Sequence, residues 1–371
     1  MKFTVSSAEL LKKLQLVSGA IGNNPVLPIL EDFLFTISGP KLTITASDLD
    51  ISINTSLEIS ADQDGEVAIP ARILLDTLKG LPEQPVTFQV DPDNYSVEIT
   101  SIFGKYKLAG ENGADFPDTP TPDGVDEIRI SGMELHHMIS HTIFATGNDE
   151  MRLAMMGVYF LIEPDTLTFV ATDAHKLVRY KLSHSGQDSS ASMILTKKSL
   201  NLLKGTINDT DDVVINYNKS NAFFSTPEIQ MSARLIDARY PDYNAVIPTN
   251  NPNTLTVSRK DFLNSVKRIS LYANKTTNQI LLTISNGSLT ISSQDIDFSN
   301  EATEQLTCSF EGEPMTIGFN AKYLMEMLNV IQSDEVKIEL SSPHRAGILL
   351  PAEPAEGEDI LMLVMPVMLG N

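Results

Sequence analysis

The amino-acid sequence predicts an α+β fold made of three tandem copies of one domain, each an antiparallel sheet with two helices laid on one face. Three observations predict it. Strand-like segments of one pattern, "KLTITASDLDIS" (41–52), "TLTFVATDAHKL" (166–177) and "SLTISSQDIDFS" (288–299), end in Asp48, Asp173 and Asp295, which are 125 and 122 residues apart. Three strand-to-helix boundaries, "FTVSSAEL" (3–10), "IRISGMEL" (128–135) and "LTVSRKDF" (255–262), recur in register, with Ser6, Ser131 and Ser258 spaced by 125 and 127 residues. Finally, "AIPARILLDTL" (68–78), "ILTKKSLNLL" (194–203) and "GFNAKYLMEML" (318–328) each read as a strand end followed by a second helix. Each copy then closes at a proline, in "DFPD" (115–118), "RYPDY" (239–243) or "VMPVM" (364–368).

Within a copy the order is strand, helix, three or four alternating strands, helix, then three strands. Alternation puts Leu42, Ile44 and Ala46 on one face of a strand, and Leu167, Phe169 and Ala171 or Leu289, Ile291 and Ser293 on the matching faces. Turn-rich "SGPK" (38–41) and "SNGS" (285–288) mark hairpins. Helices are predicted over 7–21, 70–81, 132–146, 196–207, 258–273 and 320–331. In the first, Leu10, Leu14, Val17 and Ile21 share an inward face and Lys12 points out. In the fifth, Phe262, Val266, Ile269 and Ala273 face in, with Lys260, Lys267 and Arg268 opposite. Linkers in "TPTPDGVDE" (119–127) and "IPTNNPNT" (247–254) divide the chain into domains 1–125, 126–252 and 253–371.

The chain has 371 residues, 42% of them hydrophobic, which is enough for several cores. No apolar run approaches the roughly 18 residues of a membrane span, and the start lacks the apolar region of a signal peptide. A single cysteine, Cys308, excludes an intrachain disulfide. The expectation is a soluble cytoplasmic protein with no membrane partner.

Net charge is −21, with 48 acidic and 27 basic residues, and as an average this repels phosphate. The average hides a segregation. The six helices carry twelve basic residues against five acids, a balance of +7 that leaves −28 for the rest of the chain. The third helix, with Glu134 and three histidines, departs from the trend. Nucleic acid is therefore repelled from most of the surface and attracted to the face the helices form. Similar domains joined head to tail can close into a ring, and a ring with its helices inside has a positive hole and a negative rim.

The stretch "FVATDAHKLV" (169–178) places an acid, an imidazole and an amine within four residues, as a proton-transfer site would. Its counterparts Asp48 and Asp295 are followed by Leu49-Asp50 and Ile296-Asp297, with no histidine or lysine. A strand-terminal aspartate repeated three times reads as a turn former that binds backbone amides. His136 and His137, adjacent in sequence, do not share a helical face and make poor co-ligands. No nucleophile elbow, phosphate loop, HExxH or CxxC pattern is present, so no catalysis, metal or cofactor is expected.

Taken together, "MKFTVSSAELLKKLQLVSGAI" (1–21), "PARILLDTLKGLPE" (70–83), "ATDAHKL" (171–177), "YPDYNAVIP" (240–248) and "MPVML" (365–369) resemble, across the whole chain, the beta subunit of bacterial DNA polymerase III, the sliding-clamp family. The resemblance implies a homodimeric ring of clamp domains, with sheets outside and two helices per domain lining a central pore. It implies encircled double-stranded DNA without sequence readout, and an ATP-driven clamp loader to open the ring. Lys12, Lys13, Arg72, Lys79, Arg152, Lys197, Lys198, Lys204, Lys260, Lys267 and Arg268 are the expected DNA-facing cations. It further implies a groove for short linear peptides of the replicative polymerase, the loader and repair proteins. Its expected residues are Met155, Thr172, Ala174, His175, Lys176, Leu177, Pro241 and Val246 from the middle of the chain. Leu363, Val364, Met365, Pro366, Val367, Met368 and Leu369 come from the tail. Tyr106, Leu271 and Tyr272 are expected at the dimer seam.

The sequence departs from that family's pattern at the groove. Asn244 and Ala245 stand where an arginine pair is usual, Ala174 and Lys176 replace Gly and Arg, and Met368 replaces a common Arg before the Gly370-Asn371 extension. Asn24 stands where an arginine often meets DNA. Two other readings compete: a peptide-binding scaffold that does not encircle DNA, and a hydrolase using Asp173 and His175.

Overall fold

The computed structural model describes residues 1–22, 25–122, 127–184 and 190–368. The first repeat contains β1 (Lys2–Ser6), α1 (Ser7–Val17), β2 (Asp32–Ser38), β3 (Lys41–Ser47), β4 (Ile51–Glu58) and β5 (Ser60–Ala61). It continues with β6 (Gly65–Pro70), α2 (Ala71–Lys79), β7 (Pro85–Val90), β8 (Ser96–Thr100), β9 (Lys105–Ala109) and β10 (Glu111–Asn112). The second repeat has β11 (Glu127–Ser131), α3 (Gly132–Thr142), β12 (Gly157–Glu163), β13 (Thr166–Thr172) and β14 (Lys176–Ser183). Then come β15 (Ala191–Thr196), α4 (Lys197–Thr206), β16 (Asp212–Tyr217), β17 (Asn221–Ser225) and β18 (Gln230–Arg234). The third has β19 (Asn253–Ser258), α5 (Arg259–Ile269), β20 (Gln279–Ser285), β21 (Ser288–Asp295), β22 (Asn300–Thr307) and β23 (Ser309–Glu311). It ends with β24 (Met315–Asn320), α6 (Ala321–Val330), β25 (Glu335–Leu340), β26 (Gly347–Pro351) and β27 (Glu358–Val364).

The three repeating serines are helix caps. Ser6 accepts the Glu9 N–H at 3.4 Å and Ser258 the Asp261 N–H at 3.3 Å. Ser131 and Glu134 form a reciprocal capping box, with Ser131 accepting the Glu134 N–H and Glu134 accepting the Ser131 N–H. Each such cap is worth about 1 kcal/mol. The apolar helix faces are buried as their spacing requires: Leu10, Leu14 and Val17 on α1, and Phe262, Val266 and Ile269 on α5. Ile21 is only half-buried, because α1 ends at Val17 and the chain leaves it through a short 3₁₀ turn.

The compact units do not coincide with the sequence repeats. Met1–His136 with Lys198–Leu235 forms one unit, and His137–Lys197 with Ile236–Asn371 the other. The middle repeat is shared because its two sheets belong to different neighbours. In the first unit a nine-stranded sheet runs β10-β6-β2-β3-β4-β18-β17-β16-β11, and in the second another runs β15-β12-β13-β14-β27-β26-β25-β19-β23. Each joins two repeats edge to edge by the same rule, the third main strand of one repeat pairing antiparallel with the last strand of the next. Ile53 lies opposite Met231 at the β4–β18 junction, and Val178 opposite Met362 at the β14–β27 junction.

Two shorter sheets remain, β5-β1-β7-β8-β9 in the first unit and β22-β21-β20-β24 in the second. Their ends include β9, a last strand, and β22, a third strand. These are the two strand types that are paired at the internal junctions.

Candidate functional site

The Asp173 turn is the structure its repeats predict. Its Oδ1 accepts the N–H groups of His175 and Lys176, both at 2.9 Å, and Asp48 Oδ1 accepts those of Asp50 and Ile51 at 3.1 and 2.8 Å. Asp295 Oδ1 likewise accepts the Asp297 N–H at 3.1 Å. Ala174 (φ 75°) and Leu49 (φ 78°) follow their aspartates in the left-handed region, which the turn imposes despite the cost to a residue with a Cβ. The other Asp173 oxygen lies 3.3 Å from Lys176 Nζ, and the His175 ring faces Tyr323 with centroids 6.2 Å apart. The carboxylate is therefore spent on a turn and an ion pair, and no acid–imidazole relay exists here.

Beside this turn is a cavity of about 220 Å³. Thr172, Ala174 and Leu177 supply one wall from the β13–β14 hairpin, and Leu363 and Met365 another from β27 and the tail. Met155, Pro241 and Val246 complete the predicted lining. The walls are held together by the β14–β27 ladder and by the Met365 N–H donating to His175 O at 2.9 Å. Behind them, Tyr240 stacks on Tyr159 at 4.7 Å and donates its hydroxyl to Val170 O at 3.2 Å. Burial pushes the Tyr240 and Tyr243 phenols up from their ordinary values, so both stay neutral. The cavity is smaller than the roughly 300–1,000 Å³ of small-molecule sites and suits a few apolar side chains.

Several expected groove residues stand elsewhere. His175, Val364, Pro366, Val367 and Met368 do not line the cavity: Val364 is buried in the core and Val367 donates its N–H to Gly318 O at 2.8 Å. Leu369 lies outside the described residues. Lys176 contributes to the lining but turns its ammonium away, 2.7 Å from Glu326 Oε2 and 4.5 Å over the Tyr323 ring. Asp242 and Tyr243 line the cavity and escaped the sequence reading, although "RYPDY" contains both.

The helix cations divide into two groups. Lys12, Arg72, Lys260 and Lys267 are exposed, with no ion pair among the described residues; Lys197 and Lys204 are half-exposed. Lys79 is exposed 3.7 Å from Asp76, and Arg152 lies 3.5 Å from Asp149. Lys13 pairs with Glu228, Lys198 with Asp48, and Arg268 with both oxygens of Glu304. The Lys13 and Lys198 pairs bridge the first and second repeats, so these side chains hold the β4–β18 junction rather than stand free. Arg259, also counted in the helix balance, donates to the carbonyls of Ser333 and Leu328 and closes the end of α6.

Tyr106 lies half-buried on the open strand β9, and Leu271 and Tyr272 are exposed in the 3₁₀ turn after α5. Ile102 and Phe103 at the tip of the β8–β9 hairpin are 76% and 66% exposed, and Ile296 and Phe298 before β22 are 81% and 72% exposed. Both open edges are thus flanked by large apolar side chains, a surface that marks association.

Comparison with known proteins agrees along the whole chain. Domain models of the DNA polymerase III beta subunit match in order, the N-terminal domain over residues 1–120, the central domain over 129–242 and the C-terminal domain over 244–368. The beta sliding clamps of Vibrio cholerae and Synechocystis are each 28% identical to it, with all of both chains covered. Among solved structures, the DNA polymerase sliding clamp of Bacillus subtilis superposes with a TM-score of 0.95 at 27% identity, again over all of both chains. The Pseudomonas aeruginosa clamp bound to griselimycin gives 0.94 at 27%, with the same coverage. The chain belongs to the DNA polymerase III beta subunit family.

Proposed function

We propose that this chain is a DNA sliding clamp of replication, a non-catalytic processivity factor. Two copies of its three domains, 1–125, 126–252 and 253–371, close head to tail around duplex DNA. One observation carries the reading: the junction used twice within the chain is left open at β9 and β22. A last strand and a third strand, each unpaired on one side, are complementary but lie on different sheets, and pairing them between copies adds five strands to four to give a third kind of nine-stranded sheet. A head-to-tail interface whose rotation closes gives a ring.

The ladders within the chain support one register for that pairing. Ala46↔Ile53↔Met231 at one junction corresponds to Ala171↔Val178↔Met362 at the other. Ser293↔Ala302 is the matching position on β21–β22. On the far side Met231 and Met362 correspond to Tyr106, reached through Phe3↔Phe88↔Ile99↔Tyr106. Tyr106 of one copy therefore faces Ala302 of the other, which also sets Lys107 against Glu301. Opposite charges across a strand pair favour this register.

Mechanism follows from topology. A closed ring stays on circular DNA however weak each contact, so the exposed helix cations need only loose attraction to phosphate, softened over about 8 Å by physiological salt. The groove beside Asp173 holds short apolar peptide segments of the polymerase and other partners. Met155 and Met365 suit it to varied sequences, because methionine repacks readily.

Electron microscopy of the purified protein tests this. Rings with a central hole wide enough for a duplex are expected; compact or open particles at concentrations well above micromolar would overturn the reading.

A further inference from the structure

The groove carries a charge asymmetry that bears on which peptides it accepts. Two charged residues reach its lining, Lys176 and Asp242. Lys176 is 6% exposed, and its ammonium is held by Glu326 and Asp173 over the Tyr323 ring, so it is committed within the protein. That group of one cation and two carboxylates is itself net negative. Arg179, which does not line the cavity, is engaged by Asp359 at 2.8 Å.

Asp242 differs. It is exposed at the mouth, and as the cap of the 3₁₀ turn Tyr243–Val246 its Oδ1 accepts the Asn244 N–H at 3.1 Å. That bond fixes the carboxylate at the start of the turn that ends in Val246, a lining residue that is 57% exposed. Asn244 and Ala245, which follow, are uncharged.

We propose that Asp242 makes the groove selective for peptides whose apolar anchors are flanked by lysine or arginine, and that it disfavours acidic flanks. This rests on the groove being a peptide site. The apolar walls supply affinity whatever the flank, and the rim carboxylate adds attraction for a cation and repulsion for an anion at short range. The −21 net charge of the chain acts in the same direction at longer range.

Three fluorescent peptides sharing a Gln-Leu-Ser-Leu-Phe core test this by anisotropy, with lysine, serine or glutamate pairs on both sides of the core. At low salt the lysine form is expected to bind about fivefold tighter than the serine form, and the glutamate form weaker than both, as befits one exposed ion pair. Asp242→Asn retains an oxygen for the Asn244 N–H, so the turn persists, and it should shrink the spread between the lysine and glutamate forms severalfold. Equal binding of all three peptides, or an unchanged spread in Asp242→Asn, would overturn the selectivity. Failure of all three to bind, or binding undiminished by Leu363→Asp, would instead overturn the groove as a peptide site.

Discussion

Asp32 shows how much one side chain depends on its surroundings. It opens β2, is 5% exposed, and its Oδ2 has no hydrogen-bond partner. Burial first, and then the nearby carboxylates of Glu111 and Glu31, raise its pKa from 3.8 to about 7. Between those values the native state keeps a proton that the unfolded chain releases, so stability falls as pH rises through the window. Asp32→Asn should therefore raise stability at pH 8 by roughly 1–3 kcal/mol and change it little at pH 4. Thermal melts at the two pH values decide it, and an equal shift at both would contradict the account. Nothing in "LEDFLF" signals this. The Glu111 charge comes from a segment distant in the sequence. Asp173 is the opposite case: its turn role was legible because Asp48 and Asp295 repeat it without the neighbours that suggest catalysis.

Helices were the most legible elements, because their signals are local. Ser6, Ser131 and Ser258 mark their starts, and the apolar spacing of α5 names its buried face. Which helix cations are free was not legible. Lys13 finds Glu228 and Lys198 finds Asp48, 215 and 150 residues away, and no local pattern encodes such partners. The distinction matters for mutagenesis. Replacing the exposed Lys12, Lys260 and Lys267, which have no ion pair among the described residues, with glutamate should weaken duplex binding at least tenfold at low salt and flatten its salt dependence, with an unchanged melting temperature. Lys198→Glu should instead lower stability, by setting two carboxylates together at the β4–β18 junction. Binding titrations over a salt series, paired with melts, separate the two; duplex affinity unchanged in the triple variant would remove the basic helices from the DNA-binding role.

At the scale of the molecule, three repeats could be read from spacing alone, but their joining could not. Alternation says which face of β4 or β14 is buried and nothing about which edge meets another strand, so the ladders to β18 and β27 appeared only in the fold. The groove was missed in part for the same reason: Asp242 and Tyr243 line it beside strands of two repeats. The same joining rule underlies the proposed closure of the ring, since β9 and β22 are the strands it leaves at sheet ends among the described residues. The bonds Arg234 N–H to Asp50 O and Met365 N–H to His175 O place Ile53/Met231 and Val178/Met362 at non-hydrogen-bonded positions. In the proposed ring the same rule would put Tyr106 and Ala302 of two copies at such a position, where Cα atoms are about 4.5 Å apart and within reach of a disulfide. The most direct test is Tyr106→Cys with Ala302→Cys in a Cys308→Ser background, oxidised mildly and run on a non-reducing gel. The account predicts covalent dimers that remain on circular DNA and slide off once it is cut, with no cross-link when Thr303→Cys replaces Ala302→Cys. Monomers only, or a cross-link that prefers position 303, would contradict the ring as described.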